Sequence, residues 1–544
     1  MNTNFSIPSY SEKTGSPAHF PVFWVLLGLG CAIAISLAPI PALLNLFHDD
    51  SFFYMVIARN HAAGLGYSFD GLNQTNGFHL LWLWMLSAVG SVATLSGEQG
   101  IRIVVFLQSL FSISAALLYV HLLSLAKVRT LVLILFFFAY VFLCTFADIG
   151  QESALFGFLI ALLISRILTA YFVLQERKFH HENSSNAAWI QGTSAISFGF
   201  PLLALSALAV LARLDAFFIL GGIALALGLC GQKKGAMAVM AGVLIGICVT
   251  MSFNYLHFAH AYSISSWLKS GFDLDKLRQI SIPGLAIRVM IVLGLLGVAL
   301  YRYREALHQI WVNLGDGRLN QKSEWSLPAI LTLCAFLSYG AYFLVLFVQV
   351  SALGSWYFNQ AMGLALFLYA LSTIAISSKD SISTRAFNVA VMPLVLALLI
   401  GASLWVVKFG WANSSGPTKE MGEWLAANTP TDAVIFQRDG AGAVSYFARR
   451  HIINGDGLVN NMPYQVMLRS GKLCQYLQEQ KVQYLVTNVF VNQAGNLQDF
   501  IYLWTKGVDS IALTNVSPSK ALYASPSAPI YRVFKIADAA SYCQ

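Results

Sequence analysis

Phe47-His48-Asp49-Asp50-Ser51-Phe52-Phe53-Tyr54 decides how this chain is read. It follows an apolar run over residues 20–44 that is long enough to cross a bilayer. Two adjacent carboxylates therefore stand where a chain leaves a membrane, a place where charge is costly and is kept for a purpose. Beyond them come Ala58-Arg59-Asn60, Gly64-Leu65-Gly66 and Thr75-Asn76-Gly77-Phe78-His79. Residues 51–63 carry apolar positions at helical spacing but are too short to span. Residues 77–95 are apolar and rich in Trp and Leu. Both segments predict helices lying at the membrane interface.

The composition sets the class. Of 544 residues, 57% are hydrophobic and only 11% charged, more apolar side chain than soluble domains can hide. The net charge of +8 is spread over short loops, with no basic-aromatic patch, so no nucleic-acid partner is expected. No Walker A loop, GxSxG elbow or Cys/His dyad occurs, which removes support for ATP-driven transport and hydrolase readings. The first apolar run lacks a small-residue cleavage site and reads as an anchor.

Eleven apolar runs predict spans at 20–44, 101–123, 130–147, 153–174, 195–212, 215–231, 235–253, 283–301, 326–348, 360–377 and 387–407. Loops after the even runs carry the Lys and Arg. Loops after the odd runs carry few, apart from Arg59, Arg213, Lys269, Lys276 and Arg278. The positive-inside rule then puts the N-terminus inside, and Asp49, Asp50 and the C-terminal region outside. Residues 1–19 are polar and read as a disordered cytoplasmic N-terminus, and residues 20–411 as the membrane domain, with its first outer loop at 45–99. Residues 412–544 read as an outer α/β domain. Helices are expected there at Thr418–Ala427 and Lys472–Glu479, and strands at Ala433–Gln437, His451–Ile453, Gln483–Thr487 and Ile530–Lys535. Five cysteines lie in apolar runs and read as packing residues. Cys474 and Cys543 lie in the polar region and are candidates to pair in an oxidising compartment. No cysteine or histidine set has zinc spacing.

Several residues are candidates for chemistry. Asp49 and Asp50 read either as a hydrated helix start or as a general base at the lipid boundary, where apolar surroundings raise a carboxylate's pKa. Glu152, in Gly150-Gln151-Glu152-Ser153, either caps a span or adds a second carboxylate on the same face. With Asp50 it is the candidate pair for a divalent cation. Arg213 and Asp215 interrupt a long apolar stretch, as a self-paired turn or as a phosphate contact. Lys269 reads as an interfacial lysine or as a group that neutralises a lipid phosphate. His79 and Asn76 lie in a polar-aromatic turn suited to binding. Trp356 and Tyr357 read as an aromatic belt or as a platform for stacking on a sugar.

The blocks His48-Asp49-Asp50, Ala58-Arg59-Asn60, Gly64-Leu65-Gly66 and Thr75-Asn76-Gly77-Phe78-His79 resemble the GT-C superfamily of polyprenyl-phosphate-sugar-dependent membrane glycosyltransferases. Gly150 through Phe156, Asn254 through Lys269 and Asp439 through Asn460 are similar to further blocks of it, while Leu80 and Gln151 depart from its pattern. The resemblance implies a mainly α, polytopic membrane fold with interfacial helices in the first outer loop and a C-terminal periplasmic α/β domain. It also implies inverting transfer, with Asp49 or Asp50 as base, in a bacterial inner membrane. The closest look is to arabinofuranosyltransferases and to enzymes that glycosylate envelope polymers or pilins. The partners implied are a polyprenyl-phosphate sugar, a glycan, lipid or protein acceptor, and the bilayer. No cofactor beyond a divalent cation is expected. A flippase for a lipid-linked glycan, or a non-catalytic envelope assembly factor, is the competing class. A flippase predicts polar groups along the middle of the spans, whereas the acids here cluster at one edge.

Overall fold

The computed structural model describes residues 22–125, 128, 130–146, 149–181, 190–269, 282–315, 326–349, 359–376, 416–488, 490–491, 497–501, 511–514, 521–527 and 531–536. The first apolar run is two helices, α1 (Val22–Ser36) and α2 (Ile40–Leu44), and not one. Pro39 and Pro41 cannot donate to a helix ladder and force the break. The Arg102 guanidinium caps the carbonyls left over, donating to Ser36 O at 2.8 Å and Ala38 O at 2.9 Å.

Helix α3 (Asp49–Ala62) begins on the two acids, where negative charge complements the N-terminal dipole, and carries Arg59 and His61 in its last turn. The sequence predicts a helix at the membrane interface here, and Ser51 through Ala58 along it are all buried. Helix α4 (Leu80–Val92) packs on one side of α3, and residues from the C-terminal part of the chain cover another. Gly64, at φ +80°, stops α3 and turns the chain toward Tyr67.

Apolar helices follow: α5 (Gly97–Leu125), α6 (Thr130–Phe146), α7 (Ser153–His181), α8 (Ile190–Ala212), α9 (Ala216–Leu229) and α10 (Lys233–Phe258). After them come α11 (Ile264–Lys269), α12 (Ile282–Arg302), α13 (Arg304–Gly315), α14 (Ser326–Gln349) and α15 (Asn359–Ile376). Each expected run up to 360–377 is helical; the run 387–407 lies outside the described residues, as do residues 1–19. Among the described residues four segments, Gly97–Leu125, Ser153–Phe172, Lys233–Phe258 and Leu327–Leu346, are long and apolar enough to cross a membrane. Helix α9 is shorter: at about 1.5 Å per residue it measures roughly 21 Å against a hydrocarbon core of about 30 Å. The bundle packs α5 on α1, α6 and α7, α8 on α10, and α9 on α14. Close backbone approach at Gly242 and Gly246 allows the α8–α10 contact.

From Gly416 onward helices alternate with strands: α16 (Gly416–Asn428), β1 (Val434–Gln437), α17 (Ala441–Ala448), β2 (His451–Asn454), α18 (Met462–Arg469), α19 (Leu473–Glu479) and β3 (Tyr484–Asn488). Strands β4 (Phe490–Val491), β5 (Leu497–Ile501), β6 (Ile511–Thr514), β7 (Tyr523–Ala524) and β8 (Tyr531–Lys535) complete the described part. Helices α17 and α18 and strands β4 to β7 had no expectation from sequence. Strand order in the main sheet is β2-β1-β3-β8-β7, with β1 parallel to both β2 and β3, and β8 antiparallel to β3. Because β1 feeds β2 on one side and β3 lies on the other, the chain direction switches beside β1. Such a switch opens a crevice at the carboxyl ends of the strands. Cys474 is disulfide-bonded; Cys543 lies outside the described residues.

Candidate active site

Two loops are zipped together before any side chain is placed. Phe47 pairs with Ile149 in a parallel bridge, and the Ser51 hydroxyl donates to Ile149 O at 2.7 Å. Gly150 adopts φ +97° and lies against Ser51, with no room for a Cβ. Its N–H donates to the Gln108 side chain, and its carbonyl accepts from Trp82 Nε1 at 3.1 Å.

This zip presents Glu152 to a buried polar network. Glu152 Oε2 accepts from the Tyr54 hydroxyl at 2.8 Å, and Oε1 accepts from the Arg213 guanidinium at 2.8 Å. His79 Nε2 stands 3.7 Å from the same Oε1, and its side chain is 34% exposed. Arg213 also donates to both oxygens of Asp215, at 3.0 and 2.8 Å, and the Tyr342 hydroxyl donates to Asp215 Oδ2. Buried charges persist only when paired, and each is paired here. Burial and the neighbouring Glu152 carboxylate keep the Tyr54 phenol well above its usual range, so it stays a donor. Sequence reasoning named Glu152, His79 and Arg213 separately; the structure joins them. It missed Tyr54 and Tyr342, the second of which carries no local signal.

The two acids of the opening stretch are treated differently. The Asp49 carboxylate accepts from the backbone N–H of Gly442 and of Ala443, both at 2.9 Å, at the start of α17. Gly442 touches Asp49 so closely that a Cβ would strike its backbone oxygen. Burial pushes Asp49 up to about 7, opposed by those two hydrogen bonds and aided by the nearby Asp50 and Asp439. Asp50 is half-buried and makes no hydrogen bond or ion pair among the described residues. Asp456, in the loop after β2, is held well above the usual carboxylate range by burial and by Asp439 and Asp50. Asp439, after β1, and Asp50 thus bear electrostatically on both Asp49 and Asp456.

More contacts hold that arrangement. Arg59 donates to Tyr446 O at 3.2 Å, and the Tyr446 hydroxyl donates to Gly97 O at 2.7 Å. The Thr75 hydroxyl donates to Asn460 O at 2.7 Å, and Gly77 lies against the Leu458 carbonyl. Asn76 uses both ends of its amide as a clamp, donating to Tyr262 O and accepting from Ile264 N–H, each at 2.9 Å. It thereby sets the start of α11, the helix that ends on Lys269. The Lys269 side chain and Tyr357 lie outside the described residues. One Glu152 oxygen accepts from Tyr54 and the other from Arg213. No group of three or more His, Cys, Asp or Glu able to hold a metal is found among the described residues.

A family model described as a domain of unknown function, DUF8728, matches residues 409–531. No curated protein matches the chain. Among solved structures the chain is similar to the Archaeoglobus fulgidus oligosaccharyltransferase tethered to an acceptor peptide containing the NVT sequon. The identity is 14%, the match covers 91% of this chain and 76% of that one, and the TM-score is 0.50. It is also similar to ArnT from Cupriavidus metallidurans bound to undecaprenyl phosphate, at 12% identity over 95% of this chain and 98% of that one, with a TM-score of 0.47. At such identities likeness speaks for fold alone: the chain shares the fold of the archaeal oligosaccharyltransferase.

Proposed function

We propose that this protein is an inverting glycosyltransferase that moves a sugar from a polyprenyl-phosphate donor to a hydroxyl-bearing acceptor. The observation that carries the reading is the Asp49–Asp50 pair at the start of α3, with the Asp50 carboxylate half-buried and unbonded among the described residues, together with the buried Glu152–Arg213 network. One carboxylate of the pair takes the proton of the acceptor hydroxyl. The oxygen forms a bond to the anomeric carbon, the bond from that carbon to the phosphate oxygen breaks, and polyprenyl phosphate leaves with the electron pair.

His79, the exposed member of the Glu152 network, and Lys269, at the end of the helix set by Asn76, are assigned to the leaving phosphate. Arg213 is not, because its charge is already offset by Glu152 and Asp215. Tyr357 is assigned to the sugar by stacking. The site works at the periplasmic face of a bacterial inner membrane. Arabinofuranose is one candidate sugar, and an envelope glycan, a lipid or a protein such as a pilin is the acceptor. No step is routed through a divalent cation.

The test is consumption of labelled polyprenyl-phosphate sugars by the full chain in nanodiscs. One donor of the panel should be consumed, with release of polyprenyl phosphate, and the Asp49→Asn/Asp50→Asn double variant should be inactive. Full activity in that variant, or movement of intact donor across the bilayer without cleavage, would overturn the proposal.

A further inference from the structure

The two adjacent carboxylates have different jobs. The Asp49 carboxylate is engaged by two backbone N–H groups at the first turn of α17, the end of a helix that favours negative charge. That position normally attracts an anion from outside; here an acid from the other end of the chain fills it. Gly442 has no Cβ, which lets Asp49 come this close. Phe52, one turn further along α3, packs with tilted rings against Tyr446 at 5.2 Å and Phe447 at 6.0 Å between centroids, both on α17. The two helices are thus fastened at one end by a charge-assisted pair of hydrogen bonds and along their length by aromatic packing. The carboxylate of Asp50, the next residue, is half-buried and has no hydrogen bond or ion pair among the described residues.

We propose that Asp49 is a positioning residue that latches α17 against α3, and that Asp50 is the carboxylate that meets the acceptor hydroxyl in the cleft this latch closes. The inference rests on the transfer reaction proposed above. The two backbone hydrogen bonds, one to each oxygen, fix the Asp49 carboxylate on α17 and would have to be strained to turn it toward a third group. Its neighbour has no such cost. The latch also explains why the first loop and the far end of the chain share one site: α17 follows β1, so fastening it brings the loops after β1 and β2 up to Asp50.

The experiment compares Asp49→Asn, Asp49→Ala, Asp50→Asn and Gly442→Ala in the full chain in nanodiscs. The assay uses the donor found by the polyprenyl-phosphate sugar panel, and amide exchange is read at residues 441–448. Asp50→Asn should lower kcat more than 1000-fold with exchange at 442–443 unchanged. Asp49→Asn keeps an acceptor oxygen and should lose less than 10-fold. Asp49→Ala keeps none, and should raise the acceptor KM about 10-fold and speed exchange at 442–443. Gly442→Ala, which leaves both carboxylates in the chain but drives a Cβ against Asp49, should reproduce Asp49→Ala. Equal and complete loss in Asp49→Asn and Asp49→Ala, with exchange at 442–443 unchanged, would make Asp49 the base and overturn the assignment. If no sugar donor is consumed by the wild type, the transfer reading fails. The exchange arm then still decides the latch: unaltered exchange at 442–443 in Asp49→Ala refutes it.

Discussion

Glu152 Oε1 lies 2.8 Å from the Arg213 guanidinium, with both side chains closed off from solvent. Removing one partner of a buried pair leaves the other charge uncompensated, which typically costs about 3–5 kcal/mol. Glu152→Ala should therefore lower the thermal stability of the purified full chain by an amount toward the lower end of that range, since Asp215 still faces Arg213. Glu152→Gln keeps an acceptor for the Tyr54 hydroxyl and should cost less. Thermal unfolding in detergent reads both.

Asn76 should behave as a clamp. Asn76→Ala strands the buried Ile264 N–H and frees Tyr262 O, a loss of about 1–3 kcal/mol for an unmet buried group. Amide exchange at residues 262–266 should rise while exchange across α5 stays unchanged. Because α11 leads to Lys269, donor turnover should fall with it.

Gly77 tests the other seam. A Cβ there would land on the Leu458 carbonyl, which is backbone and has little freedom to move. Gly77→Ala should detach the loop after β2, seen as protease cleavage within residues 456–461 that the wild type resists.

Asp49 predicts a pH dependence. Burial raises it from 3.8 to about 7 in the folded chain, so the folded state holds the proton more tightly than the unfolded one. Its contribution to stability is full below about pH 4 and is lost as pH rises through about 7. The melting temperature should decline between pH 5 and pH 8, and the decline should be shallower in Asp49→Asn. Asp50 and Asp439 face the same group, so Asp439→Asn should also shift the midpoint, downward.

The apolar helices and the start of α3 were legible because their signals are local: hydrophobic period, acids in a first turn, glycine at a stop. The break at Pro39 was equally local and was passed over because the run around it is so apolar. Burial of α3 on nearly all sides had no such signal, since what covers it is α17, almost four hundred residues away. Glu152, His79 and Arg213 each stood out as charge or polarity in an apolar setting, but their union depends on tertiary packing. The Gly440-Ala441-Gly442-Ala443 run was the readable hint of a close backbone approach.

Asp49 and the amides that hold it are 393 and 394 positions apart. At about 5–20 residues per second, a ribosome needs roughly 20–80 s to deliver the second after the first. For that interval Phe52 and its neighbours lack the helix that later packs on them, and the Asp49 carboxylate lacks the two amides that hold it. A chain stopped before α17 would leave the apolar side of α3 uncovered, so the growing chain must carry that exposed face until α17 is made.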